Sequence, residues 1–203
     1  MVIIYVTGTP GVGKTTFSKN LELALKNQSF ENLNYTMKKY SFENEKENKL
    51  KKININEILQ MLNKNFSFNE VENIDLTTFI KNNSISNEFD EENDCLIVDL
   101  KILKRKLLNY MNNNNNNTNN NESKNYNNKL YIIDSHMTPN LEIKPDFQII
   151  IRKEINKLRK ELEKRNYSQH KINDNIECEI FEVNLIDSLE NYPNVKTIEL
   201  HVD

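Results

Sequence analysis

Near the start of the chain, Gly8-Thr9-Pro10-Gly11-Val12-Gly13-Lys14-Thr15 follows the spacing G-x-x-x-x-G-K-[ST]. These residue types suit polyphosphate chemistry. Glycine lets the backbone take positive φ and come close to a phosphate, and the exposed N–H groups at the start of a helix attract anions. Lys14 is placed to reach the β- and γ-phosphates, and the Thr15 hydroxyl to ligate Mg²⁺. Gly11, Val12, Gly13, Lys14, Thr15 and Thr16 are therefore the candidate triphosphate-binding residues. The chain has 203 residues and three glycines, all of them here, against an average usage of about 7%. Glycine persists only where a phosphate would need it, which implies ATP or a similar triphosphate as ligand.

Other candidates lie far along the chain. Leu130-Tyr131-Ile132-Ile133-Asp134 is an apolar run ending in a carboxylate, the arrangement that holds Mg²⁺ through water in P-loop proteins. His136, two residues on, is placed to orient a water or an attacking phosphate oxygen. Only four arginines occur: Arg105, Arg152, Arg159 and Arg165. Arg105 belongs to a lysine-rich solvated face, and Arg159 lies mid-helix. Arg165 ends a helix before the polar stretch Asn166-Tyr167-Ser168-Gln169-His170-Lys171 and is the candidate for stabilising a migrating phosphoryl group from a basic flap. Arg152 is either a second such residue or half of a structural ion pair.

The elements that must position these residues follow from periodicity. Val2–Val6 reads as a buried parallel strand, and Lys14–Asn27 as a helix with Phe17, Leu21, Ala24 and Leu25 on one face. Further strands are expected at Ile53–Ile55, Leu130–Asp134, Phe147–Ile151 and Val195–Leu200. Helices are expected from Glu57, over 99–111, over Lys153–Lys164 and over Asp174–Leu189. Residues 28–52 and 64–88 show no period and read as loop. Asn112–Asn128 is too polar to offset its ordering entropy and reads as a disordered Asn-rich insert. The alternation implies an α/β fold: a single three-layer P-loop domain with a five-stranded parallel sheet, its ligands at the carboxyl ends of the strands.

Composition narrows the classes. The chain holds 37 Asn and 23 Lys but one Ala, a bias that mutes local propensity. A net charge of −3 and a pI near 5.8 argue against direct sequence-specific nucleic-acid binding, which wants a basic surface. Cys95 and Cys178 lack metal-ligand spacing and read as reduced thiols. The apolar run at residues 2–6 is too short to span a membrane.

Together, Gly8–Thr16, Phe89-Asp-Glu-Glu-Asn-Asp-Cys95, Asp134-Ser-His136, Arg165-Asn-Tyr167 and Asn173-Asp-Asn-Ile-Glu-Cys-Glu-Ile-Phe-Glu-Val183 resemble the adenylate kinase isoenzyme 6 family. The last segment is the most specific of them. The resemblance implies the fold of small nucleoside monophosphate kinases, with an AMP-receiving region at about Asn54–Ile97 and a lid at about Lys164–Asp174 carrying Arg165. It implies metal binding and catalysis by Asp134 and His136. The implied reaction is ATP plus AMP to two ADP with Mg²⁺, accompanied by ATPase activity. It also implies a monomer in nucleus and cytoplasm that matures the small ribosomal subunit through one of its proteins; a purely assembly-driving ATPase is the alternative. The family's basic residue in the AMP region is Gln60 here, with Lys64 or another lysine as substitute. Its glycines in the AMP region and the lid are Asn56 and Asn166, and asparagine tolerates the left-handed conformation better than most residues.

Overall fold

Val2, Ile4 and Val6 point into one apolar layer, and Ile3 and Tyr5 into the other. A strand buried on both faces needs helices on both sides, and the rest of the chain supplies them. The computed structural model describes residues 1–29, 34–40, 51–86, 88–91, 95–116 and 128–202. Its elements run β1 (Val2–Thr7), α1 (Lys14–Leu25), β2 (Asn34–Tyr40), β3 (Lys51–Asn54), α2 (Ile55–Asn65), β4 (Glu70–Asp75) and α3 (Leu76–Asn82). A two-stranded ribbon of β5 (Phe89–Asp90) and β6 (Cys95–Leu96) leads to α4 (Leu100–Asn116). There follow β7 (Lys129–Asp134), β8 (Phe147–Lys153), α5 (Ile155–Lys164), α6 (Gln169–Ile180), α7 (Val183–Asn191) and β9 (Lys196–Val202).

The main sheet has seven strands in the order β3-β2-β9-β8-β1-β7-β4. Five of them, β4, β7, β1, β8 and β9, are mutually parallel. β2 and β3 form an antiparallel ribbon that adds to β9. The expected parallel sheet of five is present as the contiguous set β9-β8-β1-β7-β4, which runs to one edge of the sheet, but its membership differs. Ile53–Ile55 supplies the antiparallel edge strand β3 and the first turn of α2, not a parallel strand. The fifth parallel strand is β4, in a stretch expected to be loop. β4 buries only Val71 and Ile74, three residues apart and facing opposite layers, so neither face of this six-residue edge strand shows a period to read.

One helical layer packs Phe17, Leu21, Ile58, Leu62, Leu158, Leu162 and Ile172 against β1, β8 and β9; the other packs Phe79, Ile80, Leu103, Leu107 and Met111 against β1 and β7. The helix expected over Asp174–Leu189 is two helices. The chain breaks at Glu182, which takes φ 56°, so that α7 folds back toward the sheet. α4 runs into the Asn-rich insert as far as Asn116; residues 117–127 of that insert lie outside the described residues. At its far end Asn128 exchanges backbone and side-chain hydrogen bonds with Asn69.

With glycine confined to the P-loop, other residues close the helices. Asn27, Ser84 and Asn166 take φ of 55°, 47° and 57° just past the ends of α1, α3 and α5. Gln28 N–H then donates to Leu23 C=O and Ile85 N–H to Ile80 C=O, the six-residue closure of a Schellman motif. Asn166 thus adopts the conformation expected of the family glycine. Asn56 does not: it lies in the first turn of α2 with ordinary helical geometry, because β3 leads straight into that helix.

Candidate active site

The loop between β1 and α1 is shaped by its three glycines. Gly8 has φ 138°, and a Cβ there would meet the Ile151 carbonyl oxygen at 2.3 Å. A Cβ on Gly11, φ 93°, would press on Leu158 and Leu162 at 3.0 Å. Gly13, φ 106°, faces open space, with nothing within 4 Å of a built Cβ. The loop is packed hard against β8 and α5 on one side and leaves room on the other, directly at the N-terminus of α1. That is the concavity an anionic group needs.

Lys14 opens α1 with its side chain turned back into the loop, where Nζ donates to the Thr9 carbonyl at 3.0 Å. It is 9% exposed. Desolvation lowers its ammonium from 10.5 to about 8; Asp134 opposes that shift, while Arg165 adds to it. Arg165 is therefore near enough to be felt. It caps the end of α5, is exposed, and its guanidinium makes no hydrogen bond among the described residues. The lid expected at 164–174 is the turn from α5 into α6: Asn166 in the left-handed conformation, Lys171 over the Tyr167 ring at 4.4 Å, and Ser168 Oγ accepting from Lys171 N at 3.2 Å.

Asp134 ends β7 beside β1, and Ser135 N–H donates to the Val6 carbonyl, so the carboxylate sits at the carboxyl edge next to the P-loop. It is 2% exposed and accepts from Ser18 Oγ at 3.1 Å, with the Thr15 hydroxyl also against it. Burial raises its carboxyl pKa, and the hydroxyls and Lys14 pull it back down. Two hydroxyls, a carboxylate and an open, water-accessible space above Gly13 form a hard-oxygen donor set that fits Mg²⁺. His136 stands at the rim, part of its surface open to solvent while its ring is surrounded by protein. Desolvation, then the nearby charges of Lys14 and Lys171, hold its imidazole down at about 4, so at pH 7 it is neutral, a weak base that can accept a hydrogen bond.

The structure thus brings Lys14, Thr15, Asp134, His136 and Arg165 to one end of the sheet. Thr16 lies exposed on the first turn of α1. Arg152 is elsewhere in character: its guanidinium donates to Glu179 Oε1 at 2.7 Å, Glu182 Oε1 at 3.1 Å, Glu199 Oε1 at 3.4 Å and the Glu179 carbonyl at 2.8 Å. It is the structural ion pair of the two readings. Arg159 reaches Asn173 Oδ1 at 3.5 Å on the surface. Gln60 and Asn56 are exposed on α2, which follows β3 at the far edge of the sheet, with β2, β9 and β8 between β3 and β1.

Sequence reasoning missed three residues at this site. Asp75 ends β4 in register with Asp134, caps α3 through Thr78 N at 2.7 Å and is felt by both Asp134 and Lys14. Its signal was a carboxylate followed by an apolar helix start, hidden in a stretch without period. Ser18, one turn after Lys14, bonds Asp134 and accepts from Asn73 Nδ2 at 3.3 Å. Lys171, in the first turn of α6, bears electrostatically on His136.

One pH dependence follows from the burial of Lys14. Phosphate binding uses the ammonium form, which is lost from the free protein as pH rises through about 8. ATP affinity should therefore be flat below that value and weaken by up to about tenfold per pH unit above it, as calorimetric titration on both sides of it would show.

No family model matches the chain. An adenylate kinase isoenzyme 6 homolog of Plasmodium falciparum is 30% identical over 203 residues, spanning 97% of this chain and 83% of that protein. A second such homolog, of Dictyostelium discoideum, is 30% identical over 138 residues, 66% of this chain and 69% of its own length. The first alignment spans nearly the whole chain, so the likeness is not that of a P-loop alone. The chain belongs to the adenylate kinase isoenzyme 6 family.

Proposed function

We propose that the protein is a nucleoside monophosphate kinase that moves the γ-phosphoryl group of ATP to AMP, giving two ADP. The observation that carries the proposal is the convergence of Lys14, Asp134, His136 and Arg165 on the open side of the P-loop. The backbone around Gly11, Val12 and Gly13 would hold the phosphates, with Lys14 on the β/γ side and Arg165 closing from the lid. Thr15 and Asp134 would hold Mg²⁺, the latter through water. Mg²⁺, when bound, neutralises charge on the β- and γ-oxygens. Transfer of this kind needs positioning and charge neutralisation more than covalent participation, and the neutral His136 can orient the attacking oxygen. The acceptor would enter beside Asp134 along β4 and α3, Glu70–Asn82, the part of the expected AMP region that lies next to β7.

The family likeness supports a nuclear and cytoplasmic protein that acts in small-subunit maturation with a ribosomal protein and hydrolyses ATP. Among the described residues no helix is long and apolar enough to cross a membrane. An assembly ATPase with weak transfer is the second reading. One observation favours it: no arginine occurs between the P-loop and Arg105, so no guanidinium is available there to grip the AMP phosphate bidentately.

Product analysis decides between them. With ATP and AMP as substrates, the kinase reading expects two ADP per turnover and no free phosphate, and a screen of other monophosphates should rank AMP first. Release of phosphate at a rate indifferent to AMP would remove the kinase reading and leave the ATPase. Capture of the small-subunit ribosomal protein tests the partner.

A further inference from the structure

α6 begins in the lid and ends on the P-loop. Near its end, Glu179 is 2% exposed and spends both carboxylate oxygens on different elements. Oε1 accepts from Arg152 Nε at 2.7 Å and from Lys153 N at 3.2 Å, both on β8. Oε2 accepts from the Thr9 hydroxyl at 2.5 Å. Thr9 is buried, and its carbonyl is the acceptor for Lys14 Nζ at 3.0 Å. A continuous path of short polar contacts therefore runs from the lid helix through Glu179 and Thr9 to the P-loop lysine.

Charge balance does not require this arrangement. Arg152 already faces Glu182 and Glu199, so its guanidinium would stay paired without Glu179. Glu199 in turn meets His201 Nε2 at 2.7 Å. What Glu179 alone does is fix the hydroxyl, and with it the carbonyl, of a loop residue that has no other side-chain anchor among the described residues. A loop that must present its N–H groups in one orientation gains most from such an anchor. Lys171 and Glu179 stand eight residues apart on one helix, about 12 Å along its axis, so a shift of the lid reaches Thr9 through a rigid rod.

We propose that Glu179 and Thr9 are positioning residues, a latch that sets the P-loop for the triphosphate and ties that setting to the lid. The inference rests on the P-loop reading given above. Thr9→Val keeps the shape of the side chain and leaves the Arg152–Glu179 pair intact while removing the donor. Affinity for Mg²⁺ and a non-hydrolysable ATP analogue, measured by calorimetry, should fall by roughly tenfold in this variant, while the fold survives with a lowered melting midpoint, because Glu179 Oε2 loses its donor. Thr9→Ser, which restores the hydroxyl, should recover wild-type affinity. Glu179→Ala, which leaves Thr9 no partner at all, should match Thr9→Val, and the double variant should bind no more weakly than the weaker single, since both cut the same link.

Wild-type affinity in Thr9→Val, failure of Thr9→Ser to recover it, or full additivity in the double variant would each overturn the latch. If Glu179→Ala unfolds, the two Thr9 variants decide alone. A wild type that binds no ATP analogue overturns the kinase reading itself, an outcome distinct from a wild type that binds and a Thr9→Val that binds equally well.

Discussion

Lys14→Ala should abolish ADP formation from ATP and AMP, lowering turnover by about a thousandfold or more, the scale of losing a principal cation over the migrating phosphoryl group. The fold should survive. Lys14 is held in the loop at a desolvation cost, which is why its ammonium is lowered to about 8, and its one hydrogen bond is to a carbonyl of the same loop. Taking the charge away removes that cost, so a melting midpoint near or above the wild type is expected beside the loss of turnover. A coupled assay of ADP production and a thermal melt on the same sample suffice. Appreciable ADP formation by the variant would sink the assignment of this loop as the donor site.

The second large effect is expected at Asp134. Asp134→Asn keeps the size of the side chain and an oxygen to accept from Ser18 Oγ, but takes away the charge that would hold Mg²⁺. Turnover at fixed Mg²⁺ should fall by about a hundred- to a thousandfold, with a partial return as Mg²⁺ is raised. Stability should move the other way. Burial raises the pKa of this carboxyl, so its ionised form is disfavoured in the folded state, and the amide escapes that penalty. Loss of function with unchanged or improved stability marks a residue kept for chemistry. If the variant melts early and its residual activity ignores Mg²⁺, Asp134 is instead a structural cap.

How far the sequence could be read depended on the length and purity of each signal. β1, β7 and β8 were legible because each is a run of apolar residues buried on both faces. As candidates, Lys14 stood out by its motif, Asp134 by ending one of these runs, and Arg165 because the chain holds only four arginines. β2 was not: its sequence Asn-Tyr-Thr-Met-Lys-Lys-Tyr buries Tyr35 and Met37, but its neighbours in the chain carry no pattern to frame it. β4 was hidden in the same way, and with it Asp75. That one omission moved the expected second strand to Ile53–Ile55 and drew attention to Gln60, which the fold places on an outer face. Glu179 and Arg152 could not be paired from sequence, because 27 residues separate them and only the packing of α6 on β8 brings them together.

The position of β9 also sets a timetable. It lies between β8 and β2, so the β2–β3 ribbon has no neighbour in the sheet until residues 196–202 leave the ribosome. At ordinary synthesis rates, roughly ten to thirty seconds pass between the emergence of the ribbon and that of its partner. During this interval β2 offers an unpaired backbone edge, the feature by which nascent chains stick to one another. Lys38 on β2 and Lys51 and Lys52 on β3 put three ammonium groups along that waiting ribbon. Like charges along such an edge disfavour its pairing with a second copy of the same ribbon.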